Sequence, residues 1–221
     1  MSKKMMLLAL AVVSAALLAL PAFASALELH YDTVTSFTGT GGSGNLVASE
    51  EPTITCEKTD VIEGVISAGG TTGSMTLDFT GCHTSVFGLT AKCHTSGSAL
   101  DNTIQTKGTF HLITIEPNVP GVLVTTTPVE IICATISSTY VEGNIIGTVT
   151  SPKCGETSNK MTLSFSATGS TQNHIKYTGL PYDLLARTGG PSGTARTAGL
   201  NTSATEPPVL TANTAGTLTC T

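Results

Sequence analysis

SMTLDFTGCHTSVFGLTAKCHTS, residues 74–96, carries the two signals on which the fold class turns. Its first part alternates: Met75, Leu77 and Phe79 are apolar while Thr76 and Asp78 are polar. That is the period of a strand with one face buried and the other wet. Its second part holds the tetrapeptide Cys-His-Thr-Ser twice, with Cys82-His83 and Cys93-His94 eleven positions apart. Thr80-Gly81 ends the strand, Gly88 breaks the segment, and a hairpin-like excursion returns the chain to Cys93, near Cys82.

The same alternation recurs at Met161-Thr-Leu-Ser-Phe165. Runs rich in β-branched residues occupy Val61 to Ser67, Thr109 to Ile115, Val122 to Thr126, Val129 to Cys133 and Tyr140 to Thr150. The 23 glycines and ten prolines punctuate them, as turns between short strands require. No amphipathic helical stripe follows the N-terminal region, and Tyr182-Asp-Leu-Leu-Ala186 reads as at most one helical turn. The expectation is an all-β protein, an antiparallel β-sandwich or barrel.

An internal echo runs through it. Ile54-Thr-Cys56, Val61-Ile-Glu-Gly64 and Ser74-Met-Thr-Leu-Asp-Phe79 are answered by Ile131-Ile-Cys133, Val141-Glu-Gly143 and Lys160-Met-Thr-Leu-Ser-Phe165. The spans 54–79 and 131–165 thus suggest two related β-meanders packing their Met-Leu-Phe faces together. Glu63 and Glu142 recur beside glycines in the echo and read as turn residues rather than a catalytic pair.

The N-terminus fixes the expected compartment. Lys3 and Lys4 precede an apolar run from Met5 to Leu20 broken only by Ser14, followed by Pro21 and small residues with A-x-A patterns at Ala22–Ala24 and Ala24–Ala26. This is the pattern of a secretory signal peptide, residues 1–26, cleaved after Ala24 or Ala26. Its apolar core is shorter than the roughly 20 residues a membrane-spanning helix needs. We expect a secreted, extracellular chain without integral membrane association. Removal of Lys3 and Lys4 shifts the formal net charge from −5 to −7. With few, scattered Lys and Arg, a nucleic-acid partner is disfavoured.

Past the leader we expect one β domain over 27–186. A flexible Gly/Thr/Ser/Pro-rich segment follows over 187–208, and then a terminal strand over 209–221. Asn201-Thr-Ser203 is formally a glycosylation sequon.

All six cysteines, Cys56, Cys82, Cys93, Cys133, Cys154 and Cys220, follow the leader. An even number in an exported chain points to disulfides, and sequence alone permits 15 pairings. The hairpin-like excursion favours Cys82 with Cys93. The matching places of Cys56 and Cys133 in the echo favour that pair, and Cys154 with Cys220 follows by elimination. The competing reading is a metal site of Cys82, His83, Cys93 and His94. It is weakened because neighbours in an extended chain point to opposite faces, and because the spacing departs from the usual zinc patterns.

The chain contains no G-x-S-x-G, H-E-x-x-H or G-x-x-x-x-G-K-[ST]. No catalytic residue and no cofactor is assigned. His111 reads as a strand residue and His174 as part of a polar turn. A hydrolase with a dispersed site, gathering His111 with Glu63 or Glu142, is the alternative to a non-catalytic structural or binding protein. The absence of Trp and the ten Phe and Tyr offer little for sugar stacking. The ligand, in the cell envelope or outside the cell, has no signature in the sequence.

From Ile54 to about Gly179 the chain resembles a group of uncharacterised secreted actinobacterial proteins. The residues that carry the likeness are TLDFTGC (76–82), CHTSG (93–97), PGVLVT (120–125), EIICA (130–134) and EGNIIGTVTSPKCG (142–155). The resemblance implies an exported, cystine-bearing β-domain and transfers no catalytic or binding residue.

Overall fold

The computed structural model describes residues 29–96, 98, 101–134, 137–177 and 180–220. The expected leader, 1–26, lies outside them. Every regular element among the described residues is a strand. The first eight are β1 (Leu29–Tyr31), β2 (Ser36–Gly41), β3 (Gly44–Ala48), β4 (Ile54–Cys56), β5 (Lys58–Ile66), β6 (Thr72–Thr80), β7 (His83–Val86) and β8 (Leu89–Thr95). Then come the long β9 (Thr103–Glu116), β10 (Val119–Cys133) and β11 (Ser137–Ser151), followed by β12 (Thr157–Ser164). Four short strands, β13 (Ala167–Thr168), β14 (Thr171–Gln172), β15 (Lys176–Tyr177) and β16 (Leu180–Pro181), precede β17 (Leu184–Thr188), β18 (Ala195–Thr202) and β19 (Val209–Cys220).

The molecule is all-β, and fifteen strands join one antiparallel sheet whose ladders close on themselves twice. One closed path runs β19–β12–β11–β10–β9–β6–β5–β2 and back to β19. The other runs β10–β8–β7–β4–β3–β18–β17–β11 and back to β10. The β10–β11 hairpin belongs to both. Its outer half near Cys133 pairs with β8 and β17, and its inner half pairs with β9 and β12. Closing a ladder removes the exposed edges that would otherwise recruit other chains.

The β10 ladder slips between Thr126 and Val129, so the two runs expected there as separate strands are one bulged strand. Pro128, which lacks an N–H to donate, sits in the interruption. Met75, Leu77 and Phe79 and their counterparts Met161, Leu163 and Phe165 face one interior. The echo otherwise takes unequal places: Val61–Gly64 lies between β2 and β6, whereas Val141–Gly143 lies between β10 and β17.

A single apolar core runs through both rings. A small second cluster of Ile113, Leu123 and Ile146 lies on the outer face, where Tyr177 and Tyr182 cover it.

Two expectations are corrected. The segment 187–208 is not an irregular excursion throughout: β18 pairs with β17 on one side and β3 on the other, with Ala198 fully buried. Small inward residues such as Ala198 leave little apolar period to read. Leu184–Ala186 is strand, not a helical turn, because β11 offers it a ladder from Thr139 to Gly143.

Candidate functional site: the cysteine row and its hairpin

Four cysteines stand side by side across four neighbouring strands. Cys93 lies opposite Cys133 in the β8–β10 ladder. Continuing the β7–β8 register (His83 with Lys92) one step sets Cys82 opposite Cys93, and continuing the β4–β7 register (Thr55 with His83) sets Cys56 opposite Cys82. All four are buried. The bonds join Cys56 to Cys82 and Cys93 to Cys133, each with a Cα–Cα distance of 4.0 Å. Cys154 bonds Cys220 and ties the chain after β11 to the end of β19.

The pairings Cys82 with Cys93 and Cys56 with Cys133 are therefore corrected. The hairpin does bring Cys82 and Cys93 face to face, but as a hydrogen-bonded pair: the Cys93 N–H donates to the Cys82 carbonyl at 2.9 Å. Opposed residues of that kind sit about 5.5 Å apart at Cα, whereas the alternate, non-hydrogen-bonded pairs come to about 4.5 Å with closer side chains. Cys82, just before β7, turns its own N–H to the Asn102 carbonyl at 2.9 Å, so a single backbone bond links it to Cys93. The 4.0 Å Cα separations make Cys56 and Cys133, on the outer flanks of the row, the close partners of Cys82 and Cys93. Cys56 and Cys133 stand at the ends of the row, too far apart to meet.

The metal reading fails on the same geometry. Its two sulfurs are consumed in cystines, and His83, next to buried Thr84, points to the opposite face. The His83 imidazole Nδ1 lies 3.1 Å from the Gly81 carbonyl. Among the described residues, no three or more His, Cys, Asp or Glu are placed to hold a metal ion.

The remaining candidates are dispersed. His111 meets the Tyr177 ring edge-on at 6.1 Å. Glu63 pairs across from Thr76, four ladder positions from Thr72, the partner of His111. Glu142, on β11, accepts from Arg187 Nε at 2.8 Å, and Arg187 also reaches the Gly193 carbonyl. An open surface hollow of about 400 Å³ beside His111 is lined by Ser74, Thr109 and Leu123, with neither Glu63 nor Glu142 in it. Among the described residues an interior apolar void of about 90 Å³ is lined by residues such as Leu77, Phe79, Val124 and Ile145. That is well below the roughly 300 Å³ at which ligand pockets begin.

The hairpin tip is a feature no sequence motif announced. Phe87 and Gly88 both have positive φ, 52° and 79°, in the two-residue turn between Val86 and Leu89. Phe87 is 101% exposed and Leu89 69%. The one available signal was a large aromatic beside the turn glycine.

Comparison with protein-family models, with curated proteins and with solved structures found no match.

Proposed function

We propose that the chain is an exported, non-catalytic structural or binding protein acting at or beyond the cell surface. The observation that carries this reading is the complete pairing of the cysteines into three cystines. Structural cystines persist where the environment is oxidising, and a reducing cytosol removes them. The N-terminal charge-plus-apolar pattern and the resemblance to secreted actinobacterial proteins support the same compartment. The non-catalytic part rests on His111 and Glu142 being engaged with Tyr177 and Arg187 on separate strands, and on an interior filled with apolar side chains.

The test is to express the full chain, leader included, and to analyse the medium, envelope and cytosol by N-terminal sequencing and non-reducing peptide mass mapping. We expect protein outside the cytosol beginning at Ser25 or Leu27, with cystines 56–82, 93–133 and 154–220. Uncleaved cytosolic chain with free thiols overturns the proposal. Hydrolytic turnover abolished by His111→Ala overturns its non-catalytic part.

A further inference from the structure

The β7–β8 hairpin is built as a stiff projection with an apolar end. At its base, Cys82 and Cys93 are each bonded sideways to a neighbouring strand, so both legs are covalently held. At its tip, the two-residue turn has both central residues at positive φ, a geometry that favours Asn-Gly or Asp-Gly. Phe87 takes the Asn position instead, in a conformation unfavourable for a bulky residue, and its ring is wholly in solvent. No packing within the fold repays that choice, and local strain without internal reward points to a function for the residue.

The side chains are layered from the tip downward. Phe87 and Leu89 are apolar and exposed. Below them Ser85 and Thr90, whose hydroxyls lie 3.3 Å apart, form a polar step. Thr84 and Ala91 follow, buried on the inner face, and then His83 and Lys92, opposite one another on the outer face. Lys92 is three residues from Leu89, about 10 Å along a strand. Interfacial apolar faces sink about 5–10 Å into the headgroup–acyl boundary, so a side chain about 10 Å behind the tip stands at the level of the phosphates.

Residues 81–96 include Lys92 and no acidic residue, in a chain of net charge −5. Of the carboxylates in the nearby β3–β4 turn, Glu50 is paired with the Arg196 guanidinium, and Glu51 accepts from the Thr188 hydroxyl and keeps its charge. We propose that this tip docks on an anionic phospholipid surface, with Phe87 and Leu89 entering the headgroup–acyl boundary and Lys92 meeting phosphate. A convex knob needs no preformed cleft in a bilayer, as it would in a protein partner. The inference goes beyond the export reading.

The test uses sedimentation with vesicles of phosphatidylcholine alone, or with an equal share of phosphatidylglycerol. The proteins are the wild-type chain, Phe87→Ser/Leu89→Ser and Lys92→Gln, each checked for an unchanged cystine map. We expect binding to the anionic vesicles that falls about tenfold or more in the double variant, from loss of two buried apolar side chains. Lys92→Gln weakens it less and reduces its salt dependence. The chain contains no Trp, so Phe87→Trp is a lone reporter, and its emission shifts to the blue on binding. The exported, leader-free protein is used, because the apolar run from Met5 to Leu20 would itself bring every variant to the vesicles. Three results overturn the proposal: no anionic-vesicle binding by wild type, equal binding by the double variant, or Phe87-dependent self-association without lipid.

Discussion

At Cys82 two neighbours compete for one sulfur. Cys93 is nearer in sequence, but Cys56 is nearer in the geometry that matters, because the backbone hydrogen bond between Cys82 and Cys93 holds their strands at the wider spacing. In Cys56→Ala/Cys133→Ala the central pair should therefore stay reduced, and alkylation of the denatured protein should find two thiols by mass. Chain entropy assigns about 3.5 kcal/mol to the 26-residue loop closed by Cys56–Cys82, and loss of that bond alone should lower the denaturant-derived stability by roughly that amount. Tyr31 shows a different residue-scale effect. Its ring is buried, its hydroxyl donates to the Ser158 carbonyl, and burial raises its pKa above the ordinary value near 10. The unfolded phenol ionises first, so this contribution is intact below pH 10 and is lost as pH rises through the folded value. Tyr31→Phe should flatten the alkaline end of the stability profile, as read by denaturant midpoints across pH.

At the scale of elements, close approach of strand to strand depends on residues that look incidental in the sequence. Gly64 on β5 faces Phe37 on β2, and a Cβ there would lie 2.3 Å from the ring. Phe37 is itself buried and meets Phe110 edge-on, so the ring has little room to retreat. Gly64→Ala should cost about 1–3 kcal/mol by overpacking. Phe37→Leu in the same chain should recover part of that loss, giving a double-mutant cycle that is not additive. The strands differ in how plainly they could be read. β6 and β12 display their alternation openly, with Met75, Met161 and Leu163 all buried. β18 buries Ala198 and hides Gly199 beneath Ala167, so its composition resembles a loop although it sits between two ladders.

Across the whole molecule, the β10–β11 hairpin is the shared wall of both closed ladders. Val124 and Ile145 face each other on it and line cavities on both sides. Ile145→Ala should cost about 2–5 kcal/mol. Because one core passes through both rings, the loss should appear as one shifted transition rather than two. Far-UV circular dichroism and amide-exchange protection in β7–β8 and in β5–β6 should report the same midpoint, and separated midpoints would mean that the rings unfold independently. From the sequence alone one could determine what is local: the strand period, the inward Met-Leu-Phe faces and the even cysteine set. The tertiary structure alone decided which strands adjoin, hence which cysteines bond, that 195–202 is strand, and that Phe87 stands free. A residue's periodicity reports whether it is buried, whereas a partner is chosen by register and hydrogen-bond phase between segments far apart in the chain.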